Sequence, residues 1–169
     1  MLYILLPVHN RREVTQRFVK CLKSQTFQDF KLILIDDGST DDTDKMVVGF
    51  LPKTKIIYGD GNLWWAGSLQ KGYELLSMME LSPTDAVLLI NDDTEFESDF
   101  LQRALNILDR KSNIVLKAWS MDKYSGERSD GYIIGNLDKF TFSDTDNGVL
   151  ANCASTRGLF LRAIDFIDI

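Results

Sequence analysis

Cysteine, histidine and proline are scarce in this chain: 169 residues hold two cysteines, one histidine and three prolines. Cys21 and Cys153 show no metal-ligand spacing, which excludes a structural zinc site and a disulfide-stapled scaffold, and both read as buried free thiols. Long apolar runs are missing as well. None exceeds about six residues, far short of the ~20 that a membrane-spanning helix needs. Met1 leads straight into LYILLPV and then HNRRE, with no basic leader and no small-residue cleavage site, so a signal peptide is not expected and a cytoplasmic location is. Positive charge is in deficit: 19 Lys and Arg against 25 Asp and Glu give a net charge of −6 and a pI near 4.8. That balance argues against nucleic acid as a partner, and an anionic ligand would need a metal. Glycine is absent where two nucleotide-using classes require it. No Gly-x-Gly-x-x-Gly follows the first apolar run, which speaks against a Rossmann dehydrogenase. LPVHNRRE also lacks the Gly-rich, Arg-containing loop of a sugar-phosphate nucleotidyltransferase, an alternative that this weakens.

What is present is an Asp-Asp pair that closes two separate apolar runs, LILIDDGST at Leu32 to Thr40 and VLLINDDTEF at Val87 to Phe96. Each run is too short for a helix and is bounded by turn formers, so each reads as a buried strand of a mostly parallel sheet. The carboxylates then sit at the C-terminal strand ends, the edge where open α/β sheets bind ligands. Four carboxylates gathered at one rim would repel one another unless a hard cation and a polyphosphate share the site.

With 44% hydrophobic and 26% charged residues, the length suits one domain that buries roughly 70% of its unfolded surface. Strands alternate with helices, the pattern of βαβ units and of an α/β fold. Strands are expected at Leu2 to Leu6, Lys31 to Ile35, Lys55 to Tyr58, Ala86 to Ile90 and Ile114 to Trp119. Asn10 and Glu13 have capping-box spacing before a first helix ending near Ser24, and Ser39 or Thr40 is placed to cap a second that reaches Phe50. The aromatic loop GDGNLWWAG precedes a helix face of Leu69, Gly72, Tyr73, Leu76 and Met79, and Ser98 is placed to cap the helix carrying Leu101, Leu105 and Leu108. Past Trp119 the chain turns polar and reads as loops and a hairpin, before a last strand through Gly158 to Leu161 and the start of a helix.

In order along the chain, LPVHNRRE, CLKSQTFQDFKLILIDDGSTDDT, GDGNLWWAGSLQKGYE, VLLINDDTEF and TRGLFLRAIDF resemble the N-terminal part of family 2 glycosyltransferases with the GT-A fold. The second and fourth pieces, at their separation, are the specific ones. NLWWAGS resembles a subgroup linked to rhamnosyl transfer in surface polysaccharide synthesis. The resemblance implies one GT-A-like domain over 1–169, with a mostly parallel central sheet and helices on both faces. Residues 1–119 would form the nucleotide-binding half and 120–169 part of the acceptor half, the general base lying downstream of Ile169, so that the chain reads as truncated on the acceptor side.

By the same resemblance Pro7, His9, Asn10 and Asn62 line the nucleotide, Asp37 bonds the base, and Asp92 faces ribose or phosphate. NDDT stands where the family carries its "DXD" element, with Asn91 in the place of the first Asp, which leaves Mg²⁺ or Mn²⁺ to Asp93. Trp64 or Trp65 would stack on a sugar face. The donor would be a UDP- or dTDP-linked sugar. The acceptor would be a hydroxyl of a glycan or lipid-linked molecule, attacked with inversion and holding the protein peripherally at a membrane.

Each reading has a plainer rival. DDGST also suits a strand-to-helix turn, NDDT an ordinary polar loop, and His9 a packed or capping role. The two Asp-Asp motifs together favour function. Trp64 and Trp65 could close the core, although neighbours in a loop rarely both point inward. Arg162 reads as a surface residue near Arg157, and Lys71 and Arg103 as solvated helix faces. A non-catalytic nucleotide-sugar or glycan-binding module remains the alternative. If a base lies within the chain, Asp144 or Asp146 is the candidate.

Overall fold

A computed structural model describes residues 1–111, 114–122, 124–129, 132–136, 141–144 and 156–168, the segment 128–144 by its backbone alone. Its centre is a six-stranded sheet. Strand β1 (Leu2–Val8) is followed by α1 (Arg12–Lys23), β2 (Phe30–Asp36), α2 (Thr43–Phe50), β3 (Lys55–Tyr58), α3 (Trp64–Ser77), β4 (Ala86–Leu89), α4 (Phe100–Arg110) and β5 (Leu116–Lys117). Two short hairpins follow, β6 (Ser120–Met121) with β7 (Arg128–Ser129) and β8 (Tyr132–Asn136) with β9 (Thr141–Asp144). The last elements are β10 (Leu159–Arg162) and α5 (Ala163–Ile167).

The sheet order is β3-β2-β1-β4-β10-β5. The first four strands pair in parallel, and β10 lies antiparallel between β4 and β5. The α/β fold with a mostly parallel sheet is therefore present. The expected fifth strand shrinks to two residues at the edge, paired only through Leu159 and Phe160.

Alternation along β1 builds both faces. Leu2, Ile4, Leu6 and Val8 pack with Phe18, Val19 and Leu22 of α1, Val47 of α2 and Leu101, Leu105 and Leu108 of α4. Tyr3 and Leu5 point the other way, toward Leu76 of α3 and Ala163 of α5. On that second face α3 is held close by Gly72, where an added Cβ would come within 2.7 Å of Leu5.

The caps expected from local sequence are not the ones used. Asn10 has φ +50 and turns its side chain to the next loop, accepting from the Thr40 amide at 2.8 Å. The first turn of α1 instead donates from the Arg12 amide to Asp41, and that of α4 from the Leu101 amide to Gln25. Ser39, Thr40 and Ser98 cap no helix: Asp42 and Asp99 hold the N-cap positions of α2 and α4 without side-chain cap bonds. Asp41 supplies the first-turn acceptor of α2 to the Thr43 amide and hydroxyl.

Candidate functional site

The C-terminal ends of β1, β2 and β4 meet at one rim, since Val8 pairs with Asp36 and Leu5 with Leu89. At the end of β2 the chain reverses through Gly38, whose φ of +72 and distance of 2.9 Å from a built Cβ to the Gly61 amide exclude any side chain. Asp36 accepts from the Ser39 amide at 2.8 Å. The Asp37 amide donates to the Val8 carbonyl at 2.9 Å, tying β2 to β1. His9 Nδ1 lies against the Asp37 carbonyl and Asn10 Nδ2 is 3.1 Å from His9 Nε2, a pattern that fits an imidazole protonated on Nδ1.

Asp37 is buried, and its carboxylate organises the next loop. One oxygen accepts from the Gly61 amide at 2.8 Å and the other from the Trp64 amide at 3.0 Å. Burial would raise its pKa, but the amides of Leu63, Trp64 and Gly61, with the nearby His9, outweigh that and hold it below the ordinary carboxylate value. Through these bonds α3 begins at Trp64, earlier than the expected face from Leu69, because a carboxylate 27 residues back caps its first turn. Gly59 leaves room for this, as a Cβ there would stand 2.4 Å from the Asp37 carboxylate.

Trp64 has φ +55, a conformation that costs roughly 1–2 kcal/mol for a residue with a Cβ. The residue is 80% exposed and Trp65 40%, so neither closes the core. Trp65 Nε1 donates to Asn91 Oδ1 at 3.1 Å, joining the aromatic segment to the NDDT loop.

Within that loop the two carboxylates differ. Asp92 is 3% exposed and accepts from the Thr15 hydroxyl at 2.8 Å, whereas Asp93 is 36% exposed. Arg11, 44% exposed, spans both, 3.4 Å from Asp92 and 3.7 Å from Asp93. Burial pushes the Asp92 pKa up, assisted by the charge of Asp93 and opposed by Thr15 and Arg11. The mutual repulsion expected of four carboxylates is thus relieved by protein donors: each has its own amide, hydroxyl or guanidinium partner. Arg11, Thr15 and Asp41 were not among the expected site residues. Their signal in sequence is slight, since Thr15 and Asp92 are 77 residues apart.

The description of glycosyl transferase family 2 matches residues 3–166. The chain belongs to that family. Relatives include an uncharacterized glycosyltransferase of Haemophilus influenzae, 28% identical over 112 residues that make up 64% of this chain and 42% of that protein. Another is the amylovoran biosynthesis glycosyltransferase AmsB of Erwinia amylovora, 25% identical over 114 residues, 63% of this chain and 35% of that one. The chain thus spans less than half the length of these curated relatives. Among solved structures, S. aureus TarS 1-349 superposes with a TM-score of 0.71 at 19% identity, over 99% of this chain and 48% of that one. TarS is also known in complex with UDP, with a TM-score of 0.62 at 21% identity, over 80% of this chain and 39% of that one. The mannosyltransferase PcManGT of Pyrobaculum calidifontis, solved with GDP-Man and Mn²⁺, gives 0.57 at 14% identity, over 75% and 43%. These likenesses establish the GT-A fold.

The residues expected at the site lie in the fold as follows. Pro7 pairs with Ile35 inside the sheet, and His9, Asn10 and Asp37 cluster at the rim. Asn62 is exposed, its amide donating to Asp60 at 3.0 Å. Asp92 and Asp93 follow β4. Arg162 is half-buried at the opposite sheet edge, donating to the Thr84 and Leu108 carbonyls and pairing with the exposed Asp109. Lys71 and Arg103 sit on solvated helix faces beside Glu74 and Asp99. Cys21 is free and half-buried. Cys153, Asp146 and the side chain of Asp144 lie outside the described residues, as does any base downstream. Among the described residues no helix is long and apolar enough to cross a membrane.

Proposed function

We infer that this chain carries the donor site of a glycosyltransferase that moves a sugar from a UDP- or dTDP-linked donor to an acceptor hydroxyl with inversion. The observation that carries the reading is the placement of Asp92 and Asp93 at the end of β4, on the same rim as His9 and Asp37, in a family 2 domain. Asp37 accepts the Gly61 and Trp64 amides on different oxygens, and a remaining lone pair would take a base N–H. His9 and Asn10, locked to the β2 loop, form the wall next to it. Asn62 stands on the loop that Asp37 organises.

A divalent cation fits the donor set only in one way. Among the described residues no cluster of three or more carboxylate, His or Cys ligands exists, and the oxygen of Asp93 is the accessible one. Mg²⁺ and Mn²⁺ suit this, because they commonly take one or two carboxylates and complete their shell with water and substrate phosphate. When bound, the cation supplies charge stabilisation to the departing diphosphate. Asp93 would hold it, Asp92 would face ribose or phosphate, and Arg11, now paired with both carboxylates, would turn to the phosphates. The aromatic segment supports a sugar contact, and NLWWAGS together with the likeness to AmsB supports a role in polysaccharide synthesis, with rhamnose a fitting donor sugar. A cytoplasmic protein working on a lipid-linked acceptor at the membrane surface accords with this.

The test is calorimetry with UDP and dTDP in Mn²⁺ and in chelator. Binding should be at least about tenfold tighter with Mn²⁺, and Asp93→Ala should remove that gain while leaving the fold intact. Equal affinity in chelator would overturn the metal role.

A further inference from the structure

Trp64 and Trp65 present a puzzle that stability does not solve. Trp64 is forced into positive φ, yet the residue is 80% exposed and buries little. Its backbone is fixed on both sides: the amide donates to Asp37 and the carbonyl accepts from the Ser68 hydroxyl at 2.6 Å. The neighbouring indole is fixed by Asn91. Strain kept in place by surrounding bonds, with no packing return, marks a site where a ligand meets the protein.

We propose that Asn91 and Trp65 form a clasp that positions Trp64 as a wall for the donor sugar. The proposal rests on the donor-site reading above. Asn91 immediately precedes Asp92 and Asp93, and Trp64 hangs from Asp37, so the aromatic pair bridges the diphosphate end of the site and the base end. A sugar attached to the outer phosphate lies beside that bridge. An exposed indole offers a flat, weakly polar face suited to the C–H face of a pyranose. The amide at residue 91 also makes sense in charge terms. It accepts the indole N–H without adding a third negative charge next to Asp92 and Asp93. Asn91 and Trp65 are then positioning residues, and Trp64 makes the contact.

Two measurements on the whole chain test this. The first needs no ligand: three tryptophans give three indole N–H signals in an amide NMR spectrum. Asn91→Ala should shift the signal that Trp65→Phe deletes, and Asn91→Asp, which still accepts, should shift it far less. An unmoved signal in Asn91→Ala overturns the clasp. The second compares UDP, dTDP and GDP, each bare and as its glucose conjugate. Asn91→Ala, Trp65→Phe and Trp64→Ala should each lower the affinity gained from the sugar by about fivefold, with bare nucleotide affinity held within about twofold. The double variant of Asn91 and Trp65 should be no worse than either single, and Asn91→Asp should retain the gain. Additive losses, an Asn91→Asp variant as weak as Asn91→Ala, or a parallel loss of bare nucleotide binding overturn the proposal. Failure of all three nucleotides to bind overturns the donor site and the sugar wall together, while the indole signals still decide the clasp.

Discussion

An aspartate stands just off each end of β4, and the two are treated differently. Asp85, before the strand, accepts from the Ser82 amide at 2.9 Å and lies 3.1 Å from the Met1 ammonium, while its carbonyl receives the Ala163 amide. Asp92, after the strand, is buried more deeply, yet its charged partner Arg11 is 44% exposed and held at 3.4 Å. At one end the carboxylate ties secondary structure together. At the other it is buried beside a guanidinium that is itself partly exposed. The same residue type thus serves the scaffold at the amino edge of the sheet and, in the function proposed, the ligand at the carboxyl edge, where open α/β sheets bind theirs.

The sharpest way to break this contrast is a paired substitution. Asp85→Ala strands the Ser82 amide and should lower unfolding free energy by about 1–3 kcal/mol in urea titration, without altering Mn²⁺-dependent UDP binding. Asp92→Asn should do the opposite: stability within about 1 kcal/mol of the parent or above it, because a buried charge is removed, and markedly weaker nucleotide binding. Equal stability losses would erase the distinction.

A smaller effect separates Asp92 from Asp37 by pH. Asp37 is held below the ordinary carboxylate value, so its folded form binds fewer protons than the unfolded chain, and its contribution is lost as pH falls through the folded pKa. Asp92 is raised, so its folded form keeps a proton longer, and its burial penalty grows as pH climbs from the ordinary value through the raised one. Amide exchange at Gly61 and Trp64 should therefore accelerate in acid beyond the intrinsic trend. Asp92→Asn should flatten the loss of stability on the approach to neutral pH. Protection at Gly61 that ignores acid would show that the carboxylate does not hold the loop.

The smallest expected change belongs to Arg11. Arg11→Gln removes the guanidinium from both carboxylates, so Mn²⁺ without nucleotide should bind about two- to fivefold tighter by electron paramagnetic resonance titration, an effect of the size usual for a partly exposed pair. Weaker Mn²⁺ binding would mean that Arg11 supports the cation instead of competing with it.

Much of this was legible in the chain. Short apolar runs closed by turn formers located β1 to β4, because the cores of parallel strands need no partner information to be recognised. The two Asp-Asp motifs fell on one rim for the same reason. The helix starts were misread because their acceptors are remote. Asp37 serves α3, Asp41 serves α1 and Gln25 serves α4, across 27, 29 and 76 residues. A local capping signal such as Asn10 with Glu13 cannot compete once tertiary contacts supply a better acceptor, and Asn10 is then released to bind the next loop. Arg11 and Thr15 were hidden by the same distance. Charge repulsion at the rim was foreseen, but its relief by protein groups depends on pairings that only the fold creates.

The place of β10 has a consequence for how the chain is born. Ala86–Leu89 emerges with one flank already matched by β1, while its other flank waits for Leu159–Arg162. Roughly 70 residues separate them, and a ribosome adding ~5–20 residues per second needs about 4–14 s to deliver the missing strand. During that interval the nascent parallel sheet carries an open, wholly apolar edge, the kind that pairs with stray strands. Reversing the direction of the late arrival lets it close that edge without a further crossover helix, so protection comes as soon as the segment clears the exit tunnel.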